Sequence, residues 1–262
     1  MSDAPRLEVA MPTHESAAVI EGALAHLRRS EAACEPTVER LLVVDDESDD
    51  DTVDLARQAA NEAGWGFEAI IEPCSLPEAR ERAIAAVEAD WFLFLDDDVR
   101  VRESYLDDLF GAVGPLVGGV QGRKGTRTEH PTDWVRRRAR RGGTHASLVR
   151  TEAARGVDFP DDLHVLEDEW LRRHVDAGGW LWVLNHRARF DHDSMERHPI
   201  GWQEGYLGGK YGLSTIQDVA LNVPFALATG RSPLPHAKRT AGWLRGYLDR
   251  ERGRAPSAEL PE

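Results

Sequence analysis

Short apolar runs and helix-forming stretches alternate through the amino-terminal part of the chain, and this alternation restricts the folds open to it. Leu7 to Met11, Leu41 to Val44, Phe67 to Ile71 and Trp91 to Leu95 have the length and composition of strands. Between them, Ser16 to Arg29 places Val19, Ile20, Ala23, Leu24 and Leu27 on one helical face. A second helix follows Ser48 and its neighbouring aspartates, which can cap it, and carries Val53, Leu55 and Ala59 to about Ala63. The third spans Leu76 to Ala89. Strand and helix in such succession imply an α/β fold with a mostly parallel central sheet and helices on both faces. Ligands of sheets like this bind beyond the carboxyl ends of the strands. Three of those ends carry polar chemistry: Pro12-Thr13-His14-Glu15, Asp45-Asp46 and Asp96-Asp97-Asp98.

The second half is less regular. Gly118 to Gly122, Ala146 to Arg150 and Leu181 to Leu184 read as strands, Glu167 to Asp176 as a helix, and Trp134 to Arg141 as a basic helix or loop. Beyond Pro199 the pattern is helical, with Trp243, Leu244 and Leu248 along a last helix, and from Arg252 the composition suits a frayed tail. The expected organisation is a main domain over residues 1–195, divided into halves of about 6–122 and 123–195. A helical extension over 196–251 and a flexible tail over 252–262 follow it.

The aspartate triad directly follows the most apolar strand. Crowded carboxylates repel one another and persist most easily around a divalent cation. Strand alternation lets Asp96 and Asp98 converge while Asp97 points away, and hard oxygen ligands favour Mg or Mn. An acidic turn is the alternative reading. Asp46, at the end of the second strand, can cap the helix that follows. Glu167 and Asp168 open a helix, where acids either do chemistry or favour the positive end of the dipole.

Four motifs in order carry a resemblance: Met11-Pro12-Thr13-His14-Glu15, Val43-Val44-Asp45-Asp46-Glu47-Ser48, Phe94-Leu95-Asp96-Asp97-Asp98 and Glu167-Asp168-Glu169-Trp170-Leu171. Over roughly residues 6 to 195 the chain resembles the inverting family 2 glycosyltransferases of GT-A fold, a Rossmann-like architecture. The resemblance implies a nucleotide-diphospho-sugar donor held by Pro12, Thr13, Glu15, Asp45, Asp46, Arg80, Asp96 and Asp97. It implies a Mn or Mg ion on Asp98 and Asp96, with His192 as a possible nitrogen ligand, and Asp168 as general base supported by Glu167. The acceptor is left open between a lipid-linked phosphate, a glycan and a protein. Processive relatives carry a Gln-x-x-Arg-Trp segment that this chain lacks, so a single transfer per encounter is expected. A sugar nucleotidyltransferase is the competing enzyme class, but a basic, Gly-rich loop is missing after the first strand; a non-catalytic scaffold of the same fold is the other alternative.

Composition narrows the partners. With 46 acidic against 32 basic residues the formal charge is −14, which argues against a grip on nucleic acid. Few lysines among the basic residues suit either a halophile or a GC-rich genome. Cys34 and Cys74 form neither a disulfide framework nor a metal motif. The amino terminus lacks the pattern of a signal peptide, and a membrane-spanning run of about 20 apolar residues is missing. The expectation is a cytoplasmic protein, or one peripheral at the inner face of the cell membrane through the Trp134 to Arg141 segment or the C-terminal helices.

Overall fold

The computed structural model describes residues 5–125, 142–192 and 201–253. The basic segment Trp134 to Arg141 and the tail beyond Gly253 lie outside the described residues. By contacts the chain divides into two compact units: residues 1–159 with 171–194, and Pro160–Trp170 with 195–262.

The first unit contains one sheet, of order β3-β2-β1-β4-β7-β6-β8-β5. Its strands are β1 (Leu7–Thr13), β2 (Val38–Asp45), β3 (Gly66–Ile71), β4 (Trp91–Leu95), β5 (Val99–Val101), β6 (Val117–Lys124), β7 (Ala146–Arg150) and β8 (Leu181–His192). The four strands anticipated from the apolar runs are parallel neighbours, with Leu7↔Val38 through Thr13↔Asp45 between β1 and β2. β7 then runs antiparallel to both β4 and β6, β8 parallel to β6, and β5 antiparallel to β8. Every residue of β1 and β4 is buried, as continuous apolar strands require when both faces of a sheet are covered. The core of this unit gathers Leu7, Val9, Met11, Leu41, Val43, Leu93 and Leu95 with Ile20, Leu24 and Leu27 of the first helix.

Helices α1 (Ile20–Glu31), α2 (Thr52–Ala63), α3 (Leu76–Ala86), α4 (Tyr105–Phe110) and α5 (Thr151–Ala154) connect these strands. α3 begins at a capping box of Ser75 and Glu78. It ends at Ala86 instead of Ala89, and the reason is local. Arg155 donates from Nη1 to the carbonyl oxygens of Ile84 at 2.8 Å and Ala85 at 2.7 Å, and from Nη2 to that of Val87, satisfying the last turn with a cation where the helix dipole favours one. β8 is longer than the expected Leu181 to Leu184, because it pairs first with β6 and then with β5. His192 is therefore the last residue of a strand, not part of the loop beyond it.

The second unit is helical: α7 (Trp202–Lys210), α8 (Ile216–Ala220), α9 (Asn222–Ala228) and α10 (Leu234–Glu251). Between the units in sequence runs α6 (Glu167–Ala177), whose first turn belongs to the second unit and the remainder to the first. α7 and α10 pack backbone to backbone. A Cβ on Gly209 would collide with the carbonyl of Trp243 and lie 2.9 Å from the nitrogen of Tyr247, and Gly205, Gly242 and Gly246 are just as tight. Glycine weakens an isolated helix, but at these four positions it permits an approach no side chain allows. Beside this seam, Arg239, 1% exposed, pairs with Glu204 at 2.7 Å. Among the described residues no helix is long and apolar enough to cross a membrane.

Candidate active site

The polar ends of β1 and β2 are locked together by hydrogen bonds that follow from their register. Because Thr13 stands opposite Asp45, its hydroxyl donates to Asp45 Oδ2 at 2.7 Å. Asp45 also accepts from the Ser48 backbone and hydroxyl, both at 2.8 Å, and is fully buried. Its oxygens are engaged inside the protein, where they hold the loop. Asp46 points the other way, accepts from the Cys74 N–H at 2.8 Å, and has a side chain 39% exposed. Glu15, at φ 50°, accepts from the Asp49 N–H at 2.7 Å and donates its own N–H to the Ser48 hydroxyl at 2.8 Å. A non-glycine residue held at positive φ by two such bonds marks a loop whose shape is imposed. Pro12 is buried within β1 beside it.

The aspartate triad lies between β4 and β5, and strand pairing brings two histidines to it. β7 pairs with β4 so that Ala146 stands opposite Leu95, and the ladder continues as the Asp96 N–H donates to the His145 carbonyl at 2.8 Å. His145 Nδ1 then lies 2.6 Å from Asp96 Oδ2. β8 pairs with β5 so that His192 stands opposite Val99, which puts its Nε2 3.2 Å from Asp98 Oδ1. The two imidazole rings are 5.1 Å apart. Ligand atoms of Asp96, His145 and His192 all fall within 4.8 Å of one another. Tyr105 of α4, fully buried, anchors this corner by donating its hydroxyl to the carbonyl of Ala146.

Each aspartate has its own surroundings. Asp96 shares its other oxygen with Arg80, at 3.2 Å; that arginine is 1% exposed and lies over the Phe94 ring. Burial alone would raise the Asp96 pKa, but the Arg80 guanidinium and His145 overcome it and hold the carboxyl well below the usual carboxylate range. The buried Arg80 guanidinium, which the resemblance expects to face the nucleotide, is bonded to Asp96. Asp97 turns toward the β1 loop and accepts from the Ser16 hydroxyl. Burial, with the charges of Asp96 and Asp98 behind it, pushes the Asp97 carboxyl up to about 6 against that hydrogen bond. Burial also raises Asp98 and lowers His192, so the two share a site in which neither charge is well solvated.

This donor set, carboxylate oxygens with imidazole nitrogens on a partly buried strand edge, fits a divalent ion of the Mn type. The side chains of Asp96, Asp98 and His192 are 17–21% exposed, while His145 at 48% leaves the cluster open to solvent. His145 is a residue that sequence reading passes over. Its signal is positional: the segment Gly142-Gly143-Thr144-His145 directly precedes an apolar strand. Only the antiparallel pairing of that strand with β4 puts it at the carboxyl edge.

Glu167 and Asp168 belong to the second unit. Leu166, just before them, has φ 70°, and Asp168 Oδ1 accepts from the Glu169 N–H at 2.7 Å. The segment is tied to its own unit by Asp162, which accepts from Lys210 Nζ at 2.5 Å and from the Tyr211 hydroxyl, while Trp170 meets the Tyr211 ring edge-on with centroids 5.5 Å apart.

The sequence model of glycosyl transferase family 2 matches residues 8–176, well over half of the chain. The chain belongs to glycosyl transferase family 2. No curated protein shows significant sequence similarity to this family 2 chain. Solved structures share its fold. The mannosyltransferase PcManGT from Pyrobaculum calidifontis, in complex with GDP-Man and Mn2+, superposes with a TM-score of 0.63 at 19% identity, over 93% of this chain and 70% of that one. S. aureus TarS 1-349 in complex with UDP-GlcNAc gives 0.59 at 16%, over 97% and 75%. Glucosyl-3-phosphoglycerate synthase from Mycobacterium tuberculosis, with Mg2+ and UDP, gives 0.53 at 18%, over 87% and 80%. The GT-A architecture expected from the four motifs is therefore the observed one.

Proposed function

We propose that this family 2 protein is an inverting glycosyltransferase that moves a sugar from a nucleotide-diphospho-sugar to a hydroxyl or phosphate acceptor, in glycan or glycolipid assembly. The observation that carries the reading is the convergence of Asp96, Asp98, His145 and His192 at the strand edge where open α/β sheets bind ligands. Asp98, His192, His145 and Asp96 would hold a divalent cation, which when bound neutralises charge on a departing diphosphate. Asp46, with the imposed loop of Pro12, Thr13 and Glu15, receives base and ribose; Asp45 and Arg80 act behind them by fixing the loop and Asp96. Asp97, tied to Ser16, joins that loop to the triad. Asp168 accepts the proton of the acceptor oxygen as that oxygen bonds to the anomeric carbon, with Glu167 orienting either partner. The bond from that carbon to the diphosphate breaks with its electron pair leaving on oxygen, and the configuration inverts.

A panel of nucleotide sugars and nucleoside diphosphates, screened by thermal shift with and without Mn2+, tests the reading, because a ligand that binds only the native state raises its melting temperature. Stabilisation is expected for one nucleotide class, only with metal, and lost in Asp98→Ala but kept in Asp168→Asn, which should instead lose transfer. Transfer at the normal rate by Asp168→Asn would remove that residue from the mechanism.

A further inference from the structure

The second unit carries an exposed amphipathic face that the transferase reading does not use. Of the twelve large apolar side chains most exposed among the described residues, eight lie in it, from Trp202 to Leu248. On α10, Leu234, Ala237, Ala241, Leu244 and Leu248 recur at alternating steps of three and four, so they form one stripe along the helix. All five are exposed, the leucines at 59%, 48% and 44%. Lys238, Arg245 and Arg252 recur every seven residues along one border of the stripe, and all are exposed. The other border carries Thr240, Tyr247 and Glu251. The opposite side of α10 is the glycine seam against α7, so the stripe faces away from that helix.

We propose that this face of α10 lies on an anionic phospholipid surface, with the leucines entering the headgroup boundary and the cations at its rim. Charge selects this occupant. In a chain of formal charge −14, cations aligned beside an exposed apolar stripe are a local exception, and lipid phosphates complement them. A second copy of the chain suits the face less well, because a self-complementary seam needs acids to meet the cation row and the other border offers only Glu251. Tyr247, with an apolar ring and polar tip, belongs at such a boundary. Arg245 also pairs with Asp249 at 3.0 Å, yet its side chain remains 53% exposed. The inference is independent of the transferase reading, since it concerns attachment and not chemistry.

The test is co-sedimentation of the full chain with vesicles of phosphatidylglycerol and phosphatidylcholine, against pure phosphatidylcholine, alongside light scattering for oligomeric state. Binding to the anionic vesicles is expected, weakening as salt rises. Lys238→Gln should reduce it by about fivefold, and the pair Leu244→Asp with Leu248→Asp should abolish it at an unchanged melting temperature, because both residues are on the surface. Absence of binding by the unaltered chain, or equal binding by the Leu244→Asp, Leu248→Asp variant, overturns the proposal. So does a dimer that those two substitutions dissolve, which would give the face to a second copy.

Discussion

Arg80→Met separates a supporting role for Arg80 from a direct contact with ligand. The guanidinium is 1% exposed and bonds to Asp96 at 3.2 Å, so its replacement leaves a carboxylate that is 17% exposed without its main charge partner. Breaking a buried ion pair from one side typically costs about 3–5 kcal/mol. Asp96 keeps His145 at 2.6 Å, on a side open to solvent, which lowers the expected loss to about 2–3 kcal/mol. Asp96→Asn should also be damaging, because it removes the negative charge beside the buried guanidinium. The double variant should lose less than the sum of the two, with a coupling of at least about 1 kcal/mol, as residues in one charged contact show. Urea unfolding of the four proteins in the presence of a chelator measures this directly. Additivity within about 0.5 kcal/mol would show that the pair is not coupled and would refute the support role.

Gly209→Ala should destabilise the protein by about 1–3 kcal/mol despite the better helix propensity of alanine, since its Cβ meets the α10 backbone and not a movable side chain; a neutral or raised melting temperature would contradict the seam. The Asp162 contact gives a pH dependence. Burial raises its pKa, but bonds from Lys210 and Tyr211 lower it overall, while the same contact raises Lys210 against its own desolvation. A depressed carboxyl contributes stability above its unfolded pKa and loses it as pH falls through the folded value; a raised ammonium contributes below its unfolded value and loses it at high pH. The contribution, at most about 1 kcal/mol for so exposed a carboxylate, should therefore be present between roughly pH 4 and pH 10. Asp162→Asn should narrow the gap in melting temperature between pH 3 and pH 7, and an identical profile would exclude the contact.

The parallel strands and their polar ends are legible in the sequence because each strand is a continuous apolar run stopped by acids. Asp96, Asp98 and His192 are legible as residue types with a chemistry. What each strand-end residue does depends on register, which short-range pattern does not contain. Asp45 and Asp46 look equivalent, yet the Thr13↔Asp45 pairing turns one inward and leaves the other outside. His145 meets Asp96 across 49 residues of sequence, through an antiparallel strand that the alternation of the first half does not announce. In the same way, Gly205, Gly209, Gly242 and Gly246 look unfavourable for helices until two backbones are seen to need them.

Binding of Mn2+ followed by electron paramagnetic resonance, in the presence of the nucleoside diphosphate that the thermal screen selects, tests the metal and diphosphate site most directly. The unaltered protein should deplete the free-ion signal at equimolar metal, with His145→Gln, His192→Gln and Asp98→Asn each weakening the affinity by tenfold or more, on the order expected for loss of one ligand or its partner. Equal depletion by all four proteins would place the ion elsewhere and contradict the account.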